Sequence, residues 1–321
     1  MSRLKVEVIS PVHNRRELTL GCLRSLFSAD LHDIDLHVII VDDGSTDGTA
    51  DALRQEFPDV EIVTGNGSLW YTGGINRGLE AAMKHEPDFI LAINNDSEFD
   101  PYFLQHMLET ARANPKSVVG AVLVSWEDRR SIFQVAPKWN VWWGGMRHWV
   151  RQTVDTLPKA PWQVELIVGN CVLFPAAVIR EVGLMDEKKL PQYGDAEYTP
   201  RMRKAGWRLL IDPRALVYCK PNDVPERLSK MSGGTLIAKL ANPHHPHSLK
   251  RRINATVGSS PNALQGYLAV AVFFVRAILG KNVEGRWAFE QDEPPLSELY
   301  KNATLDDNRP SSSLSHPNSI G

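Results

Sequence analysis

Cysteine is scarce. Cys22, Cys171 and Cys219 are far apart, odd in number and without a Cys-x-x-Cys pair, which excludes a disulfide framework and a cysteine-built zinc cluster. A reducing cytosol is therefore the expected compartment. Long hydrophobic runs are missing too: the longest, residues 267–279, would reach about 20 Å as a helix against about 30 Å of bilayer hydrocarbon, and Arg276 interrupts it. A strand-like segment at residues 6–10 begins almost at once and leaves no room for a secretory signal peptide. There is no cationic excess, since 36 Lys and Arg stand against 38 Asp and Glu for a formal net charge of −2, so no nucleic-acid partner is expected. Neither Gly65 nor Gly73 starts a Gly-x-Gly-x-x-Gly fingerprint, and no Gly-Lys-Ser/Thr follows. Dinucleotide-binding dehydrogenases and P-loop NTPases thereby lose their main support. No internal repeat is present.

What the sequence does hold is 43% hydrophobic residues over 321 positions, ample for an α/β core. Apolar segments at residues 6–10, 36–41, 61–63 and 89–94 alternate with amphipathic ones at 17–27, 49–56 and 73–84. That alternation specifies a mostly parallel sheet with helices on its faces. A helix at 101–114 and a strand at 118–126 follow. An irregular section to about residue 162 then carries Trp139, Trp142, Trp143, Trp149 and Trp162, equally readable as a binding surface or a packed insertion. Order resumes at 164–174, with helices expected at 175–182 and 197–205 and Gly206 as a cap. Beyond residue 221 the pattern is basic and helical, and from residue 292 the polar composition predicts a disordered tail.

Open α/β sheets bind ligands outside the carboxyl ends of their strands. Those ends read Pro11-Val12-His13-Asn14-Arg15, Asp42-Asp43-Gly44-Ser45-Thr46-Asp47 and Asn94-Asn95-Asp96. Asp42 and Asp43 can accept hydrogen bonds from a base or ribose, and Gly44 permits close backbone approach; a capped strand-to-helix turn is the plainer alternative. Arg15 suits a diphosphate. The glycine-rich stretch from Gly65 through Gly73, Gly74, Asn76 and Arg77 approaches a helix N-terminus, whose free N–H groups favour an anion. Asp96 could share Mg²⁺ or Mn²⁺ with diphosphate oxygens. Asp195 and Glu197 at a helix start could supply a general base or merely cap that helix.

Taken in order, these motifs resemble glycosyltransferase family 2 with the GT-A fold, from about Lys5 to Pro221. The resemblance implies a catalytic domain at residues 1–221, with a nucleotide-sugar half at 1–126 and an acceptor half at 127–221. A helical extension at 222–291 and a disordered tail at 292–321 would follow. It assigns Pro11, Asn14, Arg15, Asp42, Asp43, Gly44, Gly74, Asn76, Arg77, Asn94 and Asn95 to the nucleotide sugar, Asp96 to a divalent cation, Mg²⁺ or Mn²⁺, and Asp195 to the base of an inverting transfer, with Glu197 in reserve. Two positions depart from the family pattern: Asn94 stands where the metal motif usually has its first Asp, and Tyr218-Cys219-Lys220 where many relatives have a His.

Within the family the pattern is similar to that of bacterial surface-polysaccharide enzymes, including rhamnosyltransferase-like members. The implied partners are a nucleotide-diphosphate sugar and a saccharide or lipid-linked saccharide acceptor. Lys250, Arg251 and Arg252 beside residues 267–279 would suit peripheral contact with the inner face of the cell membrane, or a helix packed on the catalytic domain. The rival readings are a non-catalytic nucleotide-sugar-binding relative and a sugar nucleotidyltransferase. The latter would place a glycine-rich loop where Pro11 to Arg15 stand.

Overall fold

The structure is a computed structural model that describes residues 3–147, 149, 152–220, 231–242, 245, 248–278 and 294–305. Its elements run β1 (Leu4–Val12), α1 (Arg16–Phe27), β2 (Ile34–Asp42), α2 (Thr49–Glu56), β3 (Glu61–Thr64), α3 (Trp70–Ala82), β4 (Phe89–Ile93), β5 (Ser97–Phe99), α4 (Phe103–Ala113) and β6 (Ser117–Ser125). Next come β7 (Ile132–Gln134), β8 (Lys138–Asn140), β9 (Gly145–Arg147), β10 (Trp162–Gln163), β11 (Cys171–Pro175), α5 (Ala176–Val182), α6 (Asp195–Lys204) and β12 (Arg208–Cys219). The helices α7 (Gly233–Ala241), α8 (Leu249–Ser259), α9 (Ala263–Ile278) and α10 (Leu296–Leu299) complete them.

Strand alternation divides the core into two layers. On β1, Val6, Val8 and Val12 face the cluster of Leu20, Leu23 and Leu26 from α1 and Phe103 to Ala111 from α4, while Ile9 faces Ile75 and Leu79 of α3. The central sheet reads β10-β12-β6-β11-β4-β1-β2-β3. β3, β2, β1 and β4 are mutually parallel, as the βα alternation predicts. β11 then enters antiparallel between β4 and β6, and β6 pairs parallel with β12. The carboxyl ends of β1, β2 and β4 therefore meet along one edge, with the turn preceding β11 beside them.

Two expectations change. Residues 164–174 are not one strand: β11 starts only at Cys171, because Gly169 and Asn170 form a turn. The chain from residue 294 to 305 is ordered against the core. Leu296 is fully buried, the Tyr300 Oη donates to the Ala136 carbonyl at 2.6 Å, and Trp162, also fully buried, lies against the Tyr300 ring. The expected disorder from residue 292 thus fails for this stretch, whose two apolar anchors outweigh its polar composition; residues 306–321 lie outside the described residues. The Trp-rich section divides as well. Trp162 and Trp149 pack inside, Trp143 lies under Arg147 and Arg276, and Trp142 is exposed.

α8 and α9 pack on residues within 127–221. The Lys204 Nζ donates to the Gly258 carbonyl, Asn254 donates to the Lys189 carbonyl, and Phe273 fills the space beside Gly144. Arg251 and Arg252 lie over the rings of Tyr193 and Phe273, at 4.3 and 3.8 Å from their centroids, so two of the three expected basic residues face protein instead of forming a cationic patch. The opposite side of α9 exposes Leu264, Tyr267, Leu268 and Val275. No helix among the described residues is long and apolar enough to cross a membrane.

If α10 is part of the core, Leu296→Ala should cost about 3 kcal/mol, the usual range for truncating a buried leucine. Urea unfolding measures it, and an unchanged midpoint would mean that the segment does not pack as described.

Candidate active site

The site is built where strand ends hand over to loops. β2 ends in Asp42, and Asp43 follows it, both buried. The Asp42 Oδ1 accepts from the Ser45 N–H at 2.9 Å, closing the turn through Gly44, whose φ of +73° suits glycine. Asp43 reaches farther: its Oδ1 accepts from the Gly67 N–H at 2.7 Å, and its Oδ2 from the N–H groups of Leu69 and Trp70 at 2.8 and 3.3 Å. The helix N-terminus expected to hold a ligand anion thus already holds a protein carboxylate. It also begins earlier than the glycines suggest, at Trp70 and not Gly73. Gly74 instead lies in the body of α3, where a Cβ would come within 2.6 Å of the Pro11 Cβ. Its small size lets α3 close on the end of β1.

Asn14 and Arg15 both have positive φ, at 52° and 88°. Asn14 is locked to the next loop, its N–H donating to the Ser45 Oγ and its Oδ1 accepting from the Thr46 N–H. Arg15 spans to the end of β4, where its Nη1 donates to the Asp96 Oδ2 at 2.9 Å. The predicted cation ligand is therefore paired with a guanidinium. Beside it the Asn94 Oδ1 is buried and has no hydrogen-bond partner. Asn95 turns away, donating from its Nδ2 to the Thr19 Oγ1 of α1 at 3.0 Å. The three cysteines, remote in sequence, gather beneath this corner. Burial raises the Cys22 and Cys219 thiols to about 12 and Cys171 well above its ordinary value, so all three are neutral packing groups.

Asn76 holds a different segment. It donates from its Nδ2 to the Met185 carbonyl at 3.0 Å and accepts at its Oδ1 from the Met185 N–H at 2.9 Å, fixing the chain after α5 against α3. Arg77 donates to Glu80 and, with Asn76, lines an open depression of about 260 Å³ that also includes Met185 and Glu187.

Asp195 begins α6 and lies against the turn before β11, its Oδ2 accepting from the Gly169 N–H at 3.0 Å. Burial raises its proton affinity above the ordinary carboxylate value of 3.8, while the N–H groups of Gly169, Asp195 and Ala196 pull the other way. The Tyr71 Oη donates to the Gly169 carbonyl at 2.8 Å, and burial followed by the Asp195 charge keeps that phenol neutral. The neighbouring Asn170 carbonyl accepts from the Asn94 N–H at 3.0 Å. Gly169 and Asn170 thus join Asp195, the start of α3 at Tyr71 and the end of β4 at Asn94. Glu197 is placed otherwise, paired with the Arg201 Nε at 2.8 Å and packed against Gly258. Tyr71, Gly169 and Asn170 were missed from sequence; the Gly-Asn pair inside an apolar run was the available turn signal.

The donor set suits a hard cation. Asp96 offers a carboxylate and Asn94 an unpartnered amide oxygen, and a cation such as Mg²⁺, bound through few protein ligands, draws the rest of its shell from substrate phosphates.

Comparison with known proteins agrees with the fold. The Glycosyl transferase family 2 model matches residues 7–183, more than half of the chain, and the protein belongs to that family. An N-acetylglucosaminyl-diphospho-decaprenol L-rhamnosyltransferase of Mycobacterium tuberculosis is 26% identical over 205 residues. That alignment covers 56% of this chain and 65% of the relative, so the chain spans less than two thirds of the curated relative's length. Among solved structures, GalNAc-T7 with UDP, GalNAc and Mn²⁺ superposes with a TM-score of 0.57 at 12% identity, over 84% of this chain and 55% of that one. TarS of S. aureus gives 0.50 at 15%, over 86% and 72%. The expected family and GT-A fold are borne out.

Asp43→Ala would strand three loop N–H groups at once. A loss of about 2 kcal/mol is expected, together with faster proteolysis at residues 65–70, since the variant removes three hydrogen bonds to a charged acceptor from part-buried loop donors. Equal stability and protection in the variant would show that Asp43 does not organise the loop.

Proposed function

We propose that this protein is an inverting glycosyltransferase moving a sugar from a nucleotide diphosphate onto an acceptor hydroxyl. The observation carrying the proposal is the shared turn at Gly169 and Asn170, which sets a carboxylate of raised proton affinity beside the Asn94–Asp96 corner and the Asp43-anchored loop. Asp195 takes the proton of the acceptor hydroxyl as its oxygen bonds to the anomeric carbon. The bond from that carbon to the diphosphate breaks on the opposite face, and the electron pair leaves with the nucleoside diphosphate. Asp96 and the Asn94 Oδ1 would hold a divalent cation, which when bound supplies charge neutralisation to the departing diphosphate. Arg15, already beside Asp96, adds a fixed cation to the same corner. Asp195 is preferred over Glu197 because the latter is neutralised by Arg201.

For the acceptor we propose a lipid-linked saccharide met at a membrane surface. The name of the mycobacterial relative describes such an acceptor, and it also makes a deoxyhexose the first donor to try. The exposed apolar stripe of α9 lies on a helix pair that borders α6 through Lys204 and Gly258. A non-catalytic nucleotide-sugar binder remains the alternative, and turnover decides between them.

Asp195→Asn keeps an oxygen for the Gly169 N–H but cannot take a proton. Transfer should fall by about 10²- to 10⁴-fold with donor affinity kept. In the wild type, transfer should decline as pH drops through the raised Asp195 value, hence at higher pH than for an exposed aspartate. Stability has the opposite sign. The fold favours the neutral carboxyl, so this contribution is complete below 3.8 and lost as pH rises through the raised value, and Asp195→Asn should melt above wild type at neutral pH. Near-normal turnover in the variant would remove Asp195 from the mechanism.

A thermal-shift panel of UDP-, GDP-, dTDP- and CMP-sugars, each with Mn²⁺, Mg²⁺ or a chelator, should show stabilisation by one nucleotide family that Asp96→Ala reduces. No shift with any donor would count against the donor site.

A further inference from the structure

A second constellation lies at the other end of the sheet. Glu7 of β1 stands in register with His37 of β2, and its side chain is only 7% exposed although it is a carboxylate on a central strand. Its Oε2 is 2.7 Å from the His37 Nδ1 and 3.2 Å from the Nδ1 of His85, on the turn after α3. Among the described residues no Lys or Arg pairs with Glu7, so two imidazoles converge on a single oxygen. On its other side the His85 Nε2 is 3.6 Å from the Oε2 of Glu61, the first residue of β3.

We propose that Glu7, His37 and His85 form a binding site for a transition-metal ion of the Zn²⁺ class, separate from the donor cation. The three ligand atoms lie within 4.8 Å of one another. A tetrahedral ion with bonds of about 2.0–2.2 Å sets its ligand atoms roughly 3.3–3.5 Å apart. The two contacts to Glu7, at 2.7 and 3.2 Å, are short of that spacing, so the ion enters by side-chain shifts of about an ångström, not by rebuilding the strands. The imidazoles are edge to face, at 74° between planes with centroids 4.9 Å apart, so they approach a common point without stacking. With both Nδ1 atoms on the metal, the His85 Nε2–H faces Glu61, the carboxylate-to-histidine support that orients metal-bound imidazoles. The histidine side chains are 37% and 38% exposed, which leaves an entry path and a water for the fourth position.

The two sites differ in ligand chemistry as well as place. Glu7 is five residues before the end of β1, about 17 Å at strand rise. Nitrogen ligands select Zn²⁺, whereas the oxygen set at Asn94 and Asp96 selects Mg²⁺ or Mn²⁺. The bound ion would tie β1 and β2 to the turn that ends α3.

The test is calorimetric titration of Zn²⁺ into the metal-stripped full chain, with Co²⁺ absorption as a second readout. One tight site per chain is expected, weakened at least tenfold by His37→Gln or His85→Gln and unchanged by Asp96→Ala. Because both histidines are more than a third exposed, these variants should fold, and circular dichroism checks it. A variant with His244, His245 and His247 all replaced by Gln tests the other histidine-rich stretch and should keep the site. Absence of tight binding in wild type, full binding in both His37 and His85 variants, or loss only in the Asp96 or His244/His245/His247 variants each overturns the proposal.

Discussion

The geometry at the carboxyl edge of the sheet depends on one carboxylate. Asp43 directly follows β2 and accepts three backbone N–H groups from the loop that starts α3. A helix start carries unsatisfied donors and a positive dipole end, and a strand end carrying an anion answers both. Because the anion belongs to the sheet, α3 is placed relative to β2 before any ligand arrives. Tyr71 and Asn76 inherit their positions from that placement: the first reaches Gly169, the second the segment at Met185.

Much of this was legible in sequence, for identifiable reasons. The β1-to-β4 half follows from a period-two pattern alternating with helical periods, and both are local properties. The clustering of Asp42, Asp43, Asn94 and Asp96 follows from the rule that parallel strands expose their carboxyl ends together. What escaped depended on contacts between distant segments. The start of α3 was misplaced because Trp70 adopts a positive φ of 56°, which nothing in an aromatic residue advertises. The tail was misread because composition averages over residues, whereas Leu296 and Tyr300 are two specific anchors. Arg251 and Arg252 looked like a basic patch because their aromatic partners, Tyr193 and Phe273, lie elsewhere in the chain.

Charge at the cation corner is arranged differently from the family pattern that the sequence brings to mind. Asn94 removes one carboxylate, and Arg15 sets a guanidinium on the one that remains. Both changes lower the local negative charge, so a divalent ion there would owe more of its affinity to bound phosphates than to the protein. The buried, unpartnered Asn94 oxygen is the polar cost of that arrangement.

Gly169 offers its N–H to Asp195 and its carbonyl to Tyr71. The two peptide groups meet at one Cα, so a shift of Gly169 as a whole displaces both. A substitution that moves Tyr71 would therefore also disturb the N–H that Asp195 accepts. Changes on the Tyr71 side and on the Asp195 side of this turn are therefore expected to be non-additive.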